Sequence, residues 1–246
     1  MRSCYNIKGD LMQQYMIKTN QIINNLIELD EDVLHHIFKV MRMKINDVIE
    51  CVDYQKQVRY ACFINEDKMI EIKHIVDSNH ELQHQLILVY SLVSSDKFEL
   101  VIQKACELGV SKMIPLITSR TLVKIDHKLD KKLIRWQKII KEACEQAKRD
   151  TIMSITLPCH INDLINEQSS LKFIAYEETN SQNKLDNFFI NNHDCLLVIG
   201  PEGGFSLEEI TLFKEMDFIC ISLGQRILRT ETAAIVGCGI LMNMMD

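Results

Sequence analysis

The sequence predicts an α/β protein built from a small β-rich N-terminal unit and a larger unit with a parallel sheet. Three observations predict this. Apolar and polar residues alternate through much of the first 80 positions, and continuous apolar runs alternate with helical periods from Gln85 onward. Between them, Asp77–Gln85 (DSNHELQHQ) is polar and aperiodic, as a linker is. At 246 residues the chain exceeds the usual size of one domain, and with 47% hydrophobic residues it can bury a sizeable core.

The first predicted domain spans 12–80. Met12 leads straight into strand-like sequence, so residues 1–11 are expected to be a loose extension. Val58, Tyr60, Cys62 and Ile64 alternate with Arg59, Ala61 and Phe63. Ile70, Ile72 and Val76 alternate with Glu71, Lys73 and Ile75. Both patterns suggest half-buried strands. One helix is expected among them: Asp30 can cap it, and Val33, Leu34, Ile37, Phe38, Val40 and Met41 recur at helical spacing.

The second predicted domain spans 85–246. Leu86–Val93 is a continuous apolar run, the mark of a strand covered on both faces. A helix follows with Phe98, Val101, Ile102, Ala105 and Leu108 on one face, ended by Gly109. Met113–Ile117 is the next strand, and a long helix covers roughly Lys131–Lys148. Phe173–Tyr176, Leu196–Ile199 and Ile219–Leu223 complete the strands. No internal repeat of 20–50 residues interrupts this order.

Composition narrows the function classes. The longest apolar run, Ala233–Met242, falls well short of the roughly 18 residues of a membrane span. The N-terminal MRSCYNIKGDLMQQY has no apolar core of a secretory signal. None of the nine cysteines forms a CxxC pair or stands with histidines at zinc-finger spacing. Cys62, Cys106, Cys144 and Cys220 instead fall on apolar faces, where a thiol acts as a small hydrophobe. A reduced cytoplasmic protein with no membrane span and no metal is expected. The formal net charge is −6, yet residues 96–150 hold 13 Lys/Arg against 8 Asp/Glu. That basic segment is either a solvated helix face or a nucleic-acid track.

Two motifs carry chemistry. Gly200, Gly203 and Gly204 lie within five residues in LLVIGPEGGFSLEEI, directly after a buried strand. Glycines there let the backbone approach a ligand, and the carboxyl end of a strand is where open α/β sheets bind one. The alternative is a plain tight turn, since the spacing matches neither the dinucleotide fingerprint nor a P-loop. Ser206 and Glu209 form a capping box, with Phe205 and Ile210 as hydrophobic staple. The second motif is ISLGQRILRTETAAIVGCGILM, residues 221–242. Thr230 can cap the last helix, whose Ala233, Ala234, Gly237 and Gly239 are small. Two helical glycines cost about 1 kcal/mol each against alanine, so either a close neighbour offsets them or the helix packs loosely.

Together these residues resemble the small-subunit (16S) ribosomal RNA uridine-N3 methyltransferases of the SPOUT class. GPEGGFSLEEI and SLGQRILRTETAA match that family's two signature loops. HHIFKVMRMKINDVIE, DKFELVIQKACELGV, RWQKIIKEACEQAKR and IAYEE match it more weakly. The resemblance implies a PUA-like β-barrel followed by a methyltransferase domain with a C-terminal trefoil knot, in a homodimer. It implies S-adenosyl-L-methionine as cofactor and small-subunit ribosomal RNA, within an assembled particle, as partner. Carried over, the cofactor residues are Ile199, Gly200, Glu202, Gly203, Gly204, Leu223, Gly224, Ile227, Leu228 and Thr230. Arg229 and Glu231 would stand nearest the reacting atoms, with Arg229 stabilising charge on the base unless it serves as a salt bridge. Arg42, Lys104, Arg120, Arg135, Lys138 and Arg149 are expected phosphate contacts. Trp136 could stack on a base, though a place in the core is preferred. The family commonly has an arginine where Gln14 precedes Tyr15, so RNA contacts here would use other groups. Two other readings stay open: methylation of a ribose 2′-oxygen or of transfer RNA, and an RNA-binding assembly factor without catalysis.

Overall fold

The computed structural model describes residues 13–77, 80–123, 129–177, 183–190 and 192–245. The expected extension 1–11 lies outside the described residues, as do Ser78 and Asn79 of the expected linker. The chain forms two compact units. One runs to His80 and also takes Lys148–Thr151, and the other holds Glu81–Ala147 and Ile152 onward. The boundary is therefore discontinuous: four residues expected in the 85–246 domain fold with the first unit.

In the first unit β1 (Gln14–Ile17), β2 (Ile22–Ile23), β3 (Leu26–Ile27), β4 (Val48–Asp53), β5 (Val58–Ile64) and β6 (Ile70–Val76) form one sheet. Their order is β1-β4-β5-β6-β3-β2, with β1 parallel to β4 and every other pair antiparallel. Tyr15, Ile17, Ile49, Cys51, Cys62 and Ile64 gather in its core around Ile37, which is fully buried. The simple alternation expected along β5 fails at one point. The register shifts between Ala61 and Cys62, so Arg59 and Ala61 are buried as well. Arg59 is buried because residues 148–151 cover it. Its guanidinium donates to Asp150 Oδ1 (2.8 Å), Glu50 Oε2 (2.9 Å), Gln14 Oε1 (2.6 Å) and the Lys148 carbonyl (2.7 Å). A planar fork with five donors suits such a site, and lysine would not.

The expected helix is shorter than its pattern. α1 covers Glu31–His35, and a wider π-type turn continues it over His36–Val40. Asp30 sits at the cap position but makes no side-chain cap bond. The wider turn changes the phase, which leaves Val40 and Met41 exposed instead of facing the core.

The second unit is an all-parallel sheet with helices on both faces. β7 (Leu86–Ser91), α2 (Ser95–Glu107), β8 (Lys112–Ile117) and α3 (Leu129–Gln146) come first. β9 (Ser154–Ile155), β10 (Cys159–His160), β11 (Leu171–Ala175), β12 (Cys195–Ile199), α4 (Leu207–Glu215), β13 (Ile219–Ile221) and α5 (Thr230–Met245) follow. The strand order is β10-β8-β7-β12-β11-β13, with β9 also paired to β8. β7 and β12 are buried along their whole length, as apolar runs without alternation require. One face packs Ile87, Val89, Leu196 and Val198 against Ile210 and Phe213 of α4. On the other, Tyr90 stacks on Phe98, and Phe98 meets Trp136 at 4.6 Å between ring centres. Trp136 is thus core, as preferred.

α5 explains its own glycines. A Cβ on Gly237 would sit 2.7 Å from Leu197 Cδ2, so β12 approaches the helix where only hydrogen fits. The close neighbour lies within the chain at this position. At Gly239 the nearest atom is Leu108 Cδ2 at 3.9 Å, which leaves room for a methyl group.

Candidate active site

Because all strands of the second unit run parallel, their carboxyl ends share one edge, and two loops meet there. The first follows β12. A Cβ on Gly200 would fall 2.8 Å from the Phe205 ring, and Gly204 adopts φ +66 with its N–H donating to the Pro201 carbonyl at 2.9 Å. Gly204 is therefore required by its backbone conformation and Gly200 by the close approach of the Phe205 ring. The capping box forms as expected: Glu209 N–H donates to Ser206 Oγ (3.2 Å) and Ser206 N–H to Glu209 Oε2 (2.8 Å). Glu209, mostly buried, also accepts from the Ser119 N–H at 2.7 Å.

The second loop joins β13 to α5, with Gly224 at φ +126. Thr230 does not cap α5. It is the first residue of the helix, and its hydroxyl donates to the Gly200 carbonyl at 2.6 Å. One hydrogen bond thereby ties the two motifs together.

A cleft of 410 Å³ opens between these loops. Ile199, Gly200, Glu202, Gly204, Leu223, Gly224, Ile227, Leu228, Arg229 and Thr230 line it. Ile227 does so bare to solvent, at 86% exposure. Two expected site residues do not line it. Gly203 faces away, its Cα against the Arg120 side chain and its carbonyl accepting from Arg120 Nη1 at 2.6 Å. Glu231 lies behind the wall, its side chain 14% exposed, because α5 turns it towards Lys97, whose Nζ is 3.9 Å away. Residues missed from the sequence also line the cleft, chiefly Lys97, Tyr176, Glu177 and Arg226. Lys97, Tyr176 and Glu177 sit inside the weaker matches DKFELV and IAYEE, which could have pointed to them.

The cleft is polar on one side. Lys97 Nζ binds Glu202 Oε1 at 3.0 Å. Partial burial alone would raise the Glu202 carboxyl. Its own backbone N–H and the Lys97 ammonium outweigh that and hold it below the usual carboxylate range. Tyr90 is fully buried, and burial raises its phenol far above its ordinary value. The nearby Thr230 hydroxyl, committed to the Gly200 carbonyl, offsets only part of this, and the charges of Glu231 and Glu202 add to it. The phenol stays neutral. Neither Tyr90 Oη nor Glu231 Oε2 has a hydrogen-bond partner among the described residues. Arg229 is exposed and makes no ion pair among the described residues, so it does not serve as a salt bridge.

The expected phosphate contacts differ in availability. Arg42 is exposed at φ +55. Lys104 pairs with Glu107 (2.8 Å), Arg135 with Glu99 (2.6 Å) and Lys138 with Glu142 (3.9 Å). Arg120 is exposed but holds Gly203. Arg149 is 3% exposed and packed in the first unit, so it presents no guanidinium to a phosphate. Gln14 is likewise buried, between Arg59 and the Arg149 carbonyl. Among the described residues no cluster of His, Cys, Asp and Glu could hold a metal, and no helix is long and apolar enough to cross a membrane.

Comparison with known proteins also divides the chain in two, without the excursion of Lys148–Thr151 into the first unit. The RNA methyltransferase domain family matches residues 80–242, and the RNA methyltransferase PUA domain family matches 29–76. Ribosomal RNA small subunit methyltransferase E of Bacillus subtilis is 33% identical, covering 90% of this chain and 93% of its own. That of Mesomycoplasma hyopneumoniae is 32% identical, covering 90% and 96%. Among solved structures, a Legionella pneumophila methyltransferase in complex with the bound cofactor SAM superposes with a TM-score of 0.85 at 31% identity, covering 94% of this chain and 97% of that one. Ribosomal RNA small subunit methyltransferase E from Neisseria gonorrhoeae, bound to S-adenosyl methionine, gives 0.84 at 27% identity, covering 95% and 98%.

Proposed function

This chain belongs to the RNA methyltransferase family that includes ribosomal RNA small subunit methyltransferase E, and from that premise we propose that it methylates N3 of a uridine in small-subunit ribosomal RNA. It is an S-adenosylmethionine-dependent ribosomal RNA methyltransferase. The observation that carries the finer reading is the cleft itself, built from both signature loops and closed by the Thr230–Gly200 bond.

The residues fit the cofactor. A cleft of 410 Å³ lies within the usual range for ligands of this size, and two glycines without side chains, Gly200 and Gly204, let main-chain groups reach an adenine edge. Leu223, Leu228 and the bare Ile227 supply apolar walls. The cofactor's contribution is an electrophilic methyl on sulfonium. The protein's own work is orientation and charge. N3 lies on the Watson–Crick edge, so the target uridine must be unpaired to enter, as an assembled particle could display it. Arg229, exposed on the cleft wall and unpaired among the described residues, can hold negative charge that develops on the base. Arg42, Arg120, Arg135 and Lys138 are the exposed cations of the expected phosphate set.

The reading extends to a homodimer, a cytoplasmic location, a barrel in the first unit and a trefoil knot at the chain end. The apolar Val236, exposed on α5, supports a dimer. The return of α5 from the edge strand β13 to pack on β12 and β7 supports the knot. The test is nucleoside analysis after incubating the protein, labelled cofactor and unmodified small subunits. Label is expected in N3-methyluridine. Label only in 2′-O-methylated nucleosides, or only in added transfer RNA, would refute the reaction proposed.

A further inference from the structure

Lys97 is placed where a lysine is electrostatically awkward. It lies in the first turn of α2, where the helix dipole and unpaired N–H groups disfavour a cation. The fold retains it between two carboxylates that come from different elements, the loop after β12 and the first turn of α5. Glu202, after β12, accepts at 3.0 Å, and Glu231, on α5, stands at 3.9 Å, beyond hydrogen-bond reach. An ammonium has three donors, so Glu202 leaves capacity unused. The Lys97 side chain is 34% exposed and lines the cleft. Behind it, Tyr90 Oη and Glu231 Oε2 are buried without hydrogen-bond partners among the described residues. Of these groups only Lys97 and Glu202 reach the cleft, so the donors that Glu202 leaves free on Lys97 are the ones ready to meet polar atoms of a ligand.

The chemistry of the proposed reaction needs such a group. For methylation, the N3–H proton leaves to water, the methyl carbon bonds to N3, and the carbon–sulfur bond breaks with its electron pair going to sulfur. Loss of the proton spreads negative charge onto O2 and O4, the two carbonyl oxygens that flank N3. One cation cannot cover both sides. Arg229 is one cation of this cleft, and Lys97 is a second, from a different element.

We propose that Lys97 is a catalytic residue of this site, its ammonium held by Glu202 and donating to a uracil carbonyl beside N3. This rests on the reading of the reaction as N3 methylation. Removing one preorganised donor to a developing oxyanion costs on the order of 10²–10³-fold in rate. The alternative is that Lys97 only locks the two loops together, in which case its loss weakens cofactor binding.

The two roles separate in a paired measurement on the full chain. Cofactor affinity is read by calorimetry, and single-turnover methylation of unmodified small subunits is read with saturating cofactor. Lys97→Met is expected to bind S-adenosylmethionine within threefold of the native protein and to methylate about 100-fold more slowly. Lys97→Arg, which keeps the charge, is expected to retain the rate within tenfold. A loss of affinity that accounts for the loss of rate, a rate within threefold of native, or a Lys97→Arg protein as slow as Lys97→Met would each overturn the assignment. The native product is identified in the same reaction. A product other than N3-methyluridine would refute the proposed reaction, independently of the rates of the two variants.

Discussion

The two glycines of α5 make opposite predictions from the same helix. Replacing helical glycine by alanine gains about 1 kcal/mol of backbone propensity wherever the methyl group has room. At Gly239 it has room, since the nearest atom is 3.9 Å from the added Cβ. Gly239→Ala should therefore stabilise by about 1 kcal/mol. At Gly237 the same Cβ would lie 2.7 Å from Leu197 Cδ2, well inside van der Waals contact. Leu197 is fully buried in the central strand β12, so its side chain would have to shift within a packed core. Overpacking of this kind costs about 1–3 kcal/mol, so Gly237→Ala should be destabilising by up to about 2 kcal/mol after the propensity gain. Trp136 is the sole tryptophan and packs in the second unit, so urea unfolding followed by its fluorescence reports the unit that contains α5. A midpoint lowered by Gly239→Ala would refute the reasoning there and show that something outside this chain, such as a second copy, covers that face. A midpoint raised by Gly237→Ala would mean that Leu197 yields.

Two further outcomes follow from buried polar groups. Arg59→Ala strips Asp150 and Glu50 of their shared buried partner and should destabilise the first unit by about 3–5 kcal/mol, with Arg59→Lys failing to restore it; urea unfolding followed by circular dichroism checks this, and a loss under about 1 kcal/mol would contradict it. Burial, with nearby carboxylates adding, pushes the Cys159 and Cys195 thiols up to about 11. A raised thiol keeps its stabilising neutral form below the unfolded value near 9 and loses it as pH rises towards 11, so stability should fall across that window and not below it. Thiol titration at pH 8 should find both about 100-fold less reactive folded than unfolded, because a thiol raised from near 9 to about 11 holds about 100-fold less thiolate at that pH.

The fold was legible where one physical signal dominated. β7 and β12 announce themselves as unbroken apolar runs because both faces of a parallel strand are covered. α2 ends where expected because Gly109 takes φ +78. The first unit was harder to read, since its strands are short and their register depends on distant partners. β2 and β3 are two residues each, and no local pattern marks them. β5 alternates in sequence, yet its register shift buries Arg59, whose partner Asp150 lies 91 residues away. No reading of a window could place Lys148–Thr151 in that unit. The π-type turn after α1 fails for a related reason: apolar spacing that suits a helix also tolerates a wider turn, and tertiary packing of Ile37 decides.

Within the site, backbone requirements were legible and side-chain partnerships were not. Gly200, Gly204 and Gly224 stood out because rare glycines after buried strands mark positions that other residues cannot take. Gly203 stood out for the same reason and proved to serve a different neighbour, since adjacency in a loop does not decide which way each carbon faces. Thr230 looked like a cap because helix-starting threonines usually are, but its hydroxyl reaches Gly200 across 30 residues. Apart from its place in the weaker match DKFELV, Lys97 gave no signal: a lysine early in an amphipathic helix reads as solvated surface. Only the sheet order, which brings Ile199 of β12 beside Tyr90 of β7, sets α2's first turn against the loop that carries Glu202. Charge placement in this site is thus a property of strand order, and motifs alone cannot supply it.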